Sequence, residues 1–398
     1  MSLVYLNQGP TLDSIIGFRQ PPFSELTINF LSQLSEFMWN ENRILSLNDV
    51  NAFAFWSRRS NLEKMKSNYS DLESRLGLGT VFHITPANVP INFAFSWALS
   101  LLAGNSNIVR VSSREFDEVN FVLNSIDKVI SRDDFKHLRN GNCFIRYPHD
   151  SDTTLEILNK VDARVLWGSD KTIKDITQLR TDNYVKSLVF PSRYSIAVID
   201  AKELQNIPTK ELEKIVNLFV SDSMTYLQFG CSSPRKVYWI NYGTDTIKVR
   251  EEFWQLANQT VLKRNLLSPS HVSVRTGNLF KIVLEQGLTV ERDNKLSDMV
   301  EILSADFIPN KIVEASTSFG IFFELFPTNL GEVFLESERK VQTLCYFGLD
   351  KQTLIRALIA SNAQGVDRIV PFGEAFEMNT TWDGIDIIRE LSRYVEIR

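Results

Sequence analysis

Short β-rich runs alternate with helical stretches from Gly79 onward, and this alternation restricts the fold more than any other feature of the chain. The run "TVFHIT" is followed by a helical pattern over 92–103, in which Phe95, Leu99 and Leu102 share one stripe. The strand-like runs "SNIVRVSS", "CFIRY", "ARVLWGS" and "YSIAVID" follow, separated from one another by helix-like segments. Because parallel strands need crossover connections, this series predicts βαβ units and a mostly parallel sheet.

A second α/β series begins near Pro208. The helical run "TKELEKIVNLFVSDSMTYL" leads to the strand "KVYWIN", and "GIFFELF", "VQTLCYFG" and "RIVPFG" are further strands. The first 76 residues are mostly helical in pattern, and 398 residues with 43% hydrophobic content suffice for more than one core. The sequence therefore predicts an α/β protein with a helical N-terminal segment over 1–76, domains over 77–200 and 201–372, and a C-terminal segment over 373–398.

Charge and composition exclude several classes of partner. The formal net charge of −5 argues against nucleic acid or an anionic membrane surface as the main partner. Three cysteines and four scattered histidines form neither a disulfide framework nor a metal-ligand motif. The apolar stretch "INFAFSWALSLLAG" is too short to span a bilayer, and no signal peptide is visible. We therefore expect a cytoplasmic protein with reduced thiols, no metal and no stable membrane insertion.

The usual dinucleotide fingerprint is absent. In "GLGTVF" the third glycine of GxGxxG is replaced by Phe82, and the strand follows the glycines instead of preceding them. A nucleotide that binds this chain must therefore be held in another way.

Cys231 lies in "LQFGCSSPRKV", between residues that form turns and pack poorly in cores. Free cysteine is usually a small buried hydrophobe, and this interpretation fits Cys143 and Cys345, each within an apolar β run. At Cys231, a preceding glycine permits close approach of a carbonyl, and turn N–H groups can lower a thiol pKa or hold an oxyanion. From spacing alone, both a core thiol and a nucleophile stay open at Cys231.

Two turns carry polar residues with a structural and a functional interpretation. In "HITPANVPIN", Asn88 between two prolines is either a helix cap or an amide donor to an oxyanion. In "LWGSDKTI", Gly168 and Ser169 form a strand-to-helix turn whose N–H groups can face a phosphate.

The strand "SNIVRVSS" ends with Arg110, Ser112 and Ser113, which are either a solvated strand end or contacts to a nucleotide phosphate or ribose. The four histidines are interpreted as structural or surface residues and not as bases, since none shows a Cys-His pattern: His83, His137, His149 and His271.

Taken in order, these segments resemble the aldehyde dehydrogenase superfamily, and more closely its acyl-CoA reductase branch, typified by the fatty-acyl reductase subunit of bacterial bioluminescence systems. The resemblance runs from about Gly77 to the C-terminus, on "HITPANVPIN", "LLAGNSNIVRVSS", "RVLWGSDKTI", "QFGCSSPR", "ERKVQTLCYFG" and "DRIVPFGEAFEMNTTWDGID". It implies an aldehyde dehydrogenase-like fold of two Rossmann-like α/β domains: dinucleotide-binding over 77–200 and cysteine-bearing over 201–372. For the C-terminal segment 373–398, packing back on the dinucleotide domain is one open arrangement.

The resemblance also implies roles for individual residues. Cys231 takes the place of the nucleophile, Asn88 that of the oxyanion donor, and Glu338 is the nearest candidate to hold the nicotinamide ribose. Arg110 stands where aldehyde-oxidising relatives often carry a lysine near the adenosine ribose; with the two serines after it, it favours NADPH, with NADH left open. The positions that correspond to cofactor contacts are Thr85, Pro86, Arg110, Ser112, Gly168 and Ser169, and Ser113 is added beside them.

One departure from the superfamily points to the direction of the reaction. Aldehyde-oxidising members carry a glutamate that activates water, whereas the comparable stretch "LVFPSRYSIAVID" has no carboxylate before Asp200. Without a positioned base, water attacks a thioacyl enzyme slowly. The resemblance thus implies a homo-oligomeric acyl-CoA reductase that uses NADPH to release an aldehyde; whether it has a partner acyl-transfer enzyme is left open. The alternatives are an aldehyde or semialdehyde dehydrogenase, and a cysteine acyltransferase or thioesterase that needs no nicotinamide.

Overall fold

A computed structural model describes residues 3–41, 44, 47–148, 152–286, 291–292, 299–305, 308–316, 318–396 and 398. The chain forms two compact units, one of residues 1–191 with 378–398 and one of residues 192–377. These units divide near 191 and 377, whereas the sequence places its domain boundaries at 76, 200 and 372. Within the described residues no helix is long and apolar enough to cross a membrane.

The helices and strands follow one another in regular alternation. Residues 1–191 contain β1 (Val4–Tyr5), α1 (Glu25–Trp39), α2 (Asn48–Trp56), α3 (Arg59–Lys66), β2 (Arg75–Gly77), β3 (Thr80–Ile84), α4 (Asn92–Leu102), β4 (Ser106–Arg110), α5 (Asp117–Ile130), α6 (Lys136–Asn140), β5 (Asn142–Arg146), α7 (Thr153–Leu158), β6 (Ala163–Trp167), α8 (Asp170–Thr177) and β7 (Lys186–Phe190). Residues 192–377 contain β8 (Tyr194–Asp200), α9 (Ala201–Gln205), α10 (Thr209–Met224), β9 (Pro234–Ile240), α11 (Ile247–Lys263), α12 (Pro269–Gln286), β10 (Glu291–Arg292), β11 (Glu301–Ser304), α13 (Asn310–Ser316), β12 (Ile321–Leu325), α14 (Leu330–Leu335), β13 (Val341–Phe347), α15 (Lys351–Ala360) and β14 (Arg368–Pro371). The C-terminal segment contains β15 (Thr381–Trp382), β16 (Ile385–Asp386), α16 (Ile387–Glu390) and β17 (Ser392–Tyr394).

The sheet of the first unit has the order β1-β5-β4-β3-β6-β7, in which only the edge strand β1 is antiparallel. Its five parallel strands therefore run in the order third, second, first, fourth, fifth, which is a Rossmann arrangement with a switch point between β3 and β6. Every residue of β3 and β6 is buried, as expected for central strands covered on both faces. The prediction of a parallel βαβ sheet is confirmed.

The predicted helical N-terminal segment is present as α1, α2 and α3, of which α1 begins at the cap Ser24, whose hydroxyl accepts the N–H of Thr27. The C-terminal segment belongs to the same unit: β17 pairs with β2, and the Asn105 side chain donates to the carbonyl of Leu391. The "WDGID" sequence forms the β15–β16 hairpin, and Asp383 at its turn adopts a positive φ of 51°.

The sheet of the second unit has the order β10-β11-β12-β9-β8-β13-β14, with all strands parallel except β10. Sequence patterning places the β8 run at the end of the first series, but β8 lies in the middle of this second sheet, between β9 and β13. The local pattern of a continuous apolar strand does not specify which sheet it joins. The position of β8 is therefore decided by its pairing with β9 and β13.

A buried carboxylate lies at the centre of the second unit. Glu324 on β12 is fully buried and accepts hydrogen bonds from the indole nitrogens of Trp239 and Trp254, at 2.5 and 2.7 Å. The guanidinium of Arg250 also donates to both of its oxygens. Because charge and hydrogen-bonding capacity are matched, we interpret this cluster as structural.

Candidate active site

Seven of the predicted site residues meet at one edge of the first sheet. Thr85 and Pro86 follow β3, Arg110 ends β4, and Gly168 follows β6. These three strands are adjacent and parallel, so their carboxyl ends lie side by side at the switch point, where open α/β sheets bind ligands. The other members of the group are the residues next to these strand ends: Ser112, Ser113 and Ser169.

Arg110 is held in place by Tyr147. Its guanidinium lies 4.8 Å from the centre of the Tyr147 ring, and Nη2 donates to the Tyr147 carbonyl at 3.2 Å. Burial lowers the pKa of Arg110 below its ordinary value, partly offset by Tyr147. Its Nε is buried without a hydrogen-bond partner among the described residues. An oriented cation with one unsatisfied donor fits an anionic ligand at this edge.

The other side chains at this edge support its turns. The Thr85 hydroxyl donates to the carbonyl of Arg110 at 3.3 Å, which ties β3 to β4 just past their ends. Ser169 caps α8, since its Oγ accepts the N–H of Thr172 at 3.2 Å. Ser112 accepts the N–H of Arg114, and Ser113 is exposed. Gly168 therefore leads directly into the positive end of a helix dipole.

Asn88 is exposed in the turn between β3 and α4. This location belongs to the first unit, whereas Cys231 belongs to the second. The oxyanion role of Asn88 stays a prediction.

Cys231 lies in the connection between α10 and β9 and is partly exposed, whereas Cys143 and Cys345 are buried. Burial raises the pKa of Cys143 to about 12 and raises that of Cys345 well above its ordinary value, which makes both unreactive at neutral pH. The connection is strained, since Leu227 and Gln228 have φ values of 51° and 65°. Such strain persists only where neighbouring contacts enforce it, and it is common at functional sites.

The strained connection is anchored by the buried amide of Gln228. Its Oε1 accepts the N–H groups of Gly320 and Ile321 at 2.8 and 3.1 Å, and its Nε2 donates to the Ile321 carbonyl at 2.9 Å. A Cβ added to Gly230 would lie 2.7 Å from the ring of Phe376, so this position accommodates only glycine without displacement of the ring.

The sulfur and carbonyl of Cys231 contact the two strands next to it. The Gln342 side chain on β13 donates from Nε2 to Sγ at 3.3 Å, while Oε1 accepts from the hydroxyl of Ser232 at 2.9 Å. Ser195 on β8 donates to the Cys231 carbonyl at 2.8 Å and accepts the N–H of Thr343 at 3.2 Å. The thiol is therefore held at the amino edge of the second sheet, and not within a hydrophobic core.

Arg235 on β9 brings positive charge to the same edge. Burial lowers its pKa to about 10, and interactions with Cys231, Tyr194 and Glu314, in that order, oppose this shift. Its guanidinium donates to the Gln228 carbonyl at 3.1 Å. At neutral pH Arg235 is charged, and this charge interacts with Cys231.

Among the described histidines and carboxylates, His83 and Asp200 are each engaged in contacts of their own. His83 is buried with Nδ1 2.8 Å from the Ser96 hydroxyl, and burial lowers its pKa to about 4. Asp200 caps α9 at the far end of β8, about 17 Å along the strand from Ser195. Glu338 is exposed before β13, and His149 lies outside the described residues.

The sequence interpretation missed Gln342, Ser195 and Arg235. Polar residues at the first positions of otherwise apolar strands were a usable signal, as in "RKVQTL" and "SRYSIAV". What the pattern lacked was the strand order that brings the three together around Cys231.

Comparison with known proteins supports the resemblance. The acyl-CoA reductase (LuxC) family matches residues 21–279, more than half of the chain. No curated protein sequence matches this chain.

Solved structures match over most of the chain at low identity. An NAD-dependent aldehyde dehydrogenase from Sinorhizobium meliloti has a TM-score of 0.67 at 11% identity, covering 94% of this chain and 82% of its own. Lactaldehyde dehydrogenase from Escherichia coli has a TM-score of 0.62 at 16% identity, covering 88% and 79%. An indole-3-acetaldehyde dehydrogenase mutant from P. syringae, in complex with NAD+ and IAA, has a TM-score of 0.62 at 11% identity, covering 92% and 82%. The chain therefore belongs to the acyl-CoA reductase family, and it is an oxidoreductase with an aldehyde dehydrogenase-like fold.

Proposed function

We propose that this protein reduces an acyl-CoA thioester to an aldehyde through a thioacyl intermediate on Cys231, with NADPH as reductant. The observation that carries the proposal is the environment of Cys231: partly exposed, its sulfur accepts an amide N–H from Gln342 and lies near the charged Arg235. A thiolate in such a place is a nucleophile, whereas a buried thiol in an apolar strand is not.

In the first step the Cys231 thiolate attacks the thioester carbonyl. A new C–S bond forms, the carbonyl oxygen becomes an oxyanion, and collapse expels the CoA thiolate. Turn N–H groups beside Cys231 and, by the family resemblance, the Asn88 amide stabilise that oxyanion.

The thioacyl enzyme must then last until it is reduced. The stretch before β8 offers no carboxylate, and Asp200 lies at the opposite edge of the sheet, engaged by the side chain of Asn241 at 2.7 Å. This stretch and Asp200 therefore supply no base to activate water at the thioacyl group, and we expect its hydrolysis to be slow. When bound, a reduced nicotinamide would supply hydride to the thioacyl carbon, and collapse of the resulting hemithioacetal on Cys231 would release the aldehyde and restore the thiolate.

The carboxyl edge of the first sheet is where we propose that the dinucleotide binds. The α8 N-terminus after Gly168 suits a phosphate, as does the unsatisfied Nε of Arg110. Ser112 and Ser113 next to this arginine favour a cofactor that carries a 2′-phosphate, and hence NADPH over NADH.

The experiment measures NADPH oxidation by purified protein with acyl-CoA of increasing chain length, beside a Cys231→Ala variant. We expect oxidation that requires acyl-CoA, releases one aldehyde per NADPH and is lost in the variant. Release of CoA without NADPH oxidation would instead identify a thioesterase or acyltransferase. Faster turnover of free aldehyde with NAD(P)+ than of acyl-CoA would identify an aldehyde dehydrogenase.

A further inference from the structure

Two β-bulges flank a single residue of the central strand β8. On one side Val341 pairs with Tyr194 and Leu344 with Ile196, so two residues of β13 face the one residue Ser195. On the other side the pairing on β9 moves from Pro234 to Lys236 between Ser195 and Ile196, which leaves Arg235 as the extra residue. Bulges redirect side chains and are frequent beside active sites. Here they redirect Gln342 and Arg235.

The redirected amide of Gln342 has a fixed orientation. Its Oε1 accepts hydrogen bonds from the hydroxyls of Ser232 and Thr343, at 2.9 and 3.4 Å, which leaves Nε2 toward the Cys231 sulfur at 3.3 Å. A thiolate is purely an acceptor, so this orientation suits the ionised form of Cys231. Ser195 links the β13 bulge to the cysteine turn through its two hydrogen bonds.

Cys231 lies six residues beyond Thr225, the C-cap of α10, so the chain reaches the cysteine from the carboxyl end of that helix. The amide of Gln342 supplies a donor directly to the sulfur of Cys231, at 3.3 Å.

We propose that Gln342 is a positioning residue that stabilises the thiolate of Cys231 and fixes its direction, with Ser232 as the anchor of its amide. The inference rests on the proposed role of Cys231 as the nucleophile. The charged and titratable groups at this edge include Arg235, which interacts with Cys231, and Tyr194 and Glu314, which interact with Arg235. Glu336 and Glu338 interact with Tyr194 in turn. The side chain of Lys340 forms an ion pair with Glu314 at 2.6 Å.

The test is the pH dependence of Cys231 alkylation by iodoacetamide in the full-length protein, with the adduct located by peptide mass spectrometry. Removal of the donor in Gln342→Met should raise the midpoint by about one pH unit, since a hydrogen bond to a charged group is worth roughly that much. In Gln342→Glu a carboxylate faces the sulfur, and the midpoint should rise further. Gln352→Met, on the exposed face of α15, is the matched control and should leave the alkylation midpoint of Cys231 unchanged.

An unchanged midpoint in folded Gln342→Met or Gln342→Glu would overturn the proposal. If both variants fail to fold, the test is Ser232→Ala. A rise of the alkylation midpoint smaller than about one pH unit supports the role of Gln342, and an unchanged midpoint refutes it. Alkylation needs neither acyl-CoA nor NADPH, so a wild-type protein that reduces no thioester would refute the proposed function while leaving this result intact. Where reduction occurs, Gln342→Met should lower kcat at pH values below the alkylation midpoint. The KM for NADPH should not change.

Discussion

The two units carry their candidate chemistry at opposite ends of their parallel strands. In the first unit, Thr85, Arg110 and Gly168 follow the carboxyl ends of β3, β4 and β6. In the second, Cys231 precedes β9 and contacts the amino ends of β8 and β13. The carboxyl edge of a βαβ sheet receives helix N-termini as a consequence of its topology, and these suit anions. The amino edge receives helix C-termini, and there the side chain of Gln342 donates to the sulfur of Cys231.

The largest expected effect separates chemistry from cofactor binding. Cys231→Ala should reduce acyl-CoA turnover by at least about 1000-fold, because the covalent step loses its nucleophile. The dissociation constant of NADPH, measured by fluorescence, should stay within about twofold if binding depends on the first unit. A large loss of NADPH affinity in this variant would contradict the assignment of separate roles to the two units.

The second prediction compares the pH dependence of stability. His83 in the first unit has a pKa lowered to about 4, so its contribution makes stability rise between about pH 4 and 6.5. Asp222 in the second has a pKa raised to about 7 by burial, so its contribution makes stability fall between about pH 4 and 7. At about 1.4 kcal/mol per pKa unit, each contribution to the free energy of unfolding is on the order of 3 to 5 kcal/mol.

These opposite slopes are measured by urea unfolding of wild type, His83→Gln and Asp222→Asn across that pH range. The free-energy difference between wild type and His83→Gln should rise with pH, and that between wild type and Asp222→Asn should fall. Slopes of the same sign would contradict the prediction.

A smaller effect is expected on cofactor preference. Arg110→Met should weaken NADPH binding by about tenfold or more, through loss of a charge-assisted contact, and weaken NADH binding much less. The alkylation midpoint of Cys231 should not move. Equal losses for the two cofactors would show that Arg110 does not recognise the 2′-phosphate.

The smallest effect concerns the α8 cap. Ser169→Ala removes the acceptor for the N–H of Thr172 and should cost about 1 kcal/mol of unfolding free energy. Ser113→Ala is the control, since Ser113 is exposed and should leave stability unchanged. A loss of stability in Ser113→Ala as large as that in Ser169→Ala would contradict the cap assignment.

Much of the fold could be predicted because its signals are local. The βαβ alternation predicted the parallel sheets, and the polar turns after β3, β4 and β6 meet because parallel strands end at a shared edge. The place of β8 could not be predicted, since a fully buried strand has no alternation that ties it to one sheet.

The same division holds for the cysteine. Glycine, serine and proline around Cys231 distinguish it by sequence from Cys143 and Cys345, and the exposure of the three thiols follows that distinction. Gln342 and Arg235 lie 111 and four residues after Cys231 in the sequence. Bulges on two different strands bring their side chains to the cysteine. A bulge is a defect of pairing between strands, so no single strand's sequence reveals it. The sequence alone thus determined much of the strand and helix series and distinguished Cys231 from the other two cysteines, whereas only the tertiary structure decided which side chains surround its sulfur.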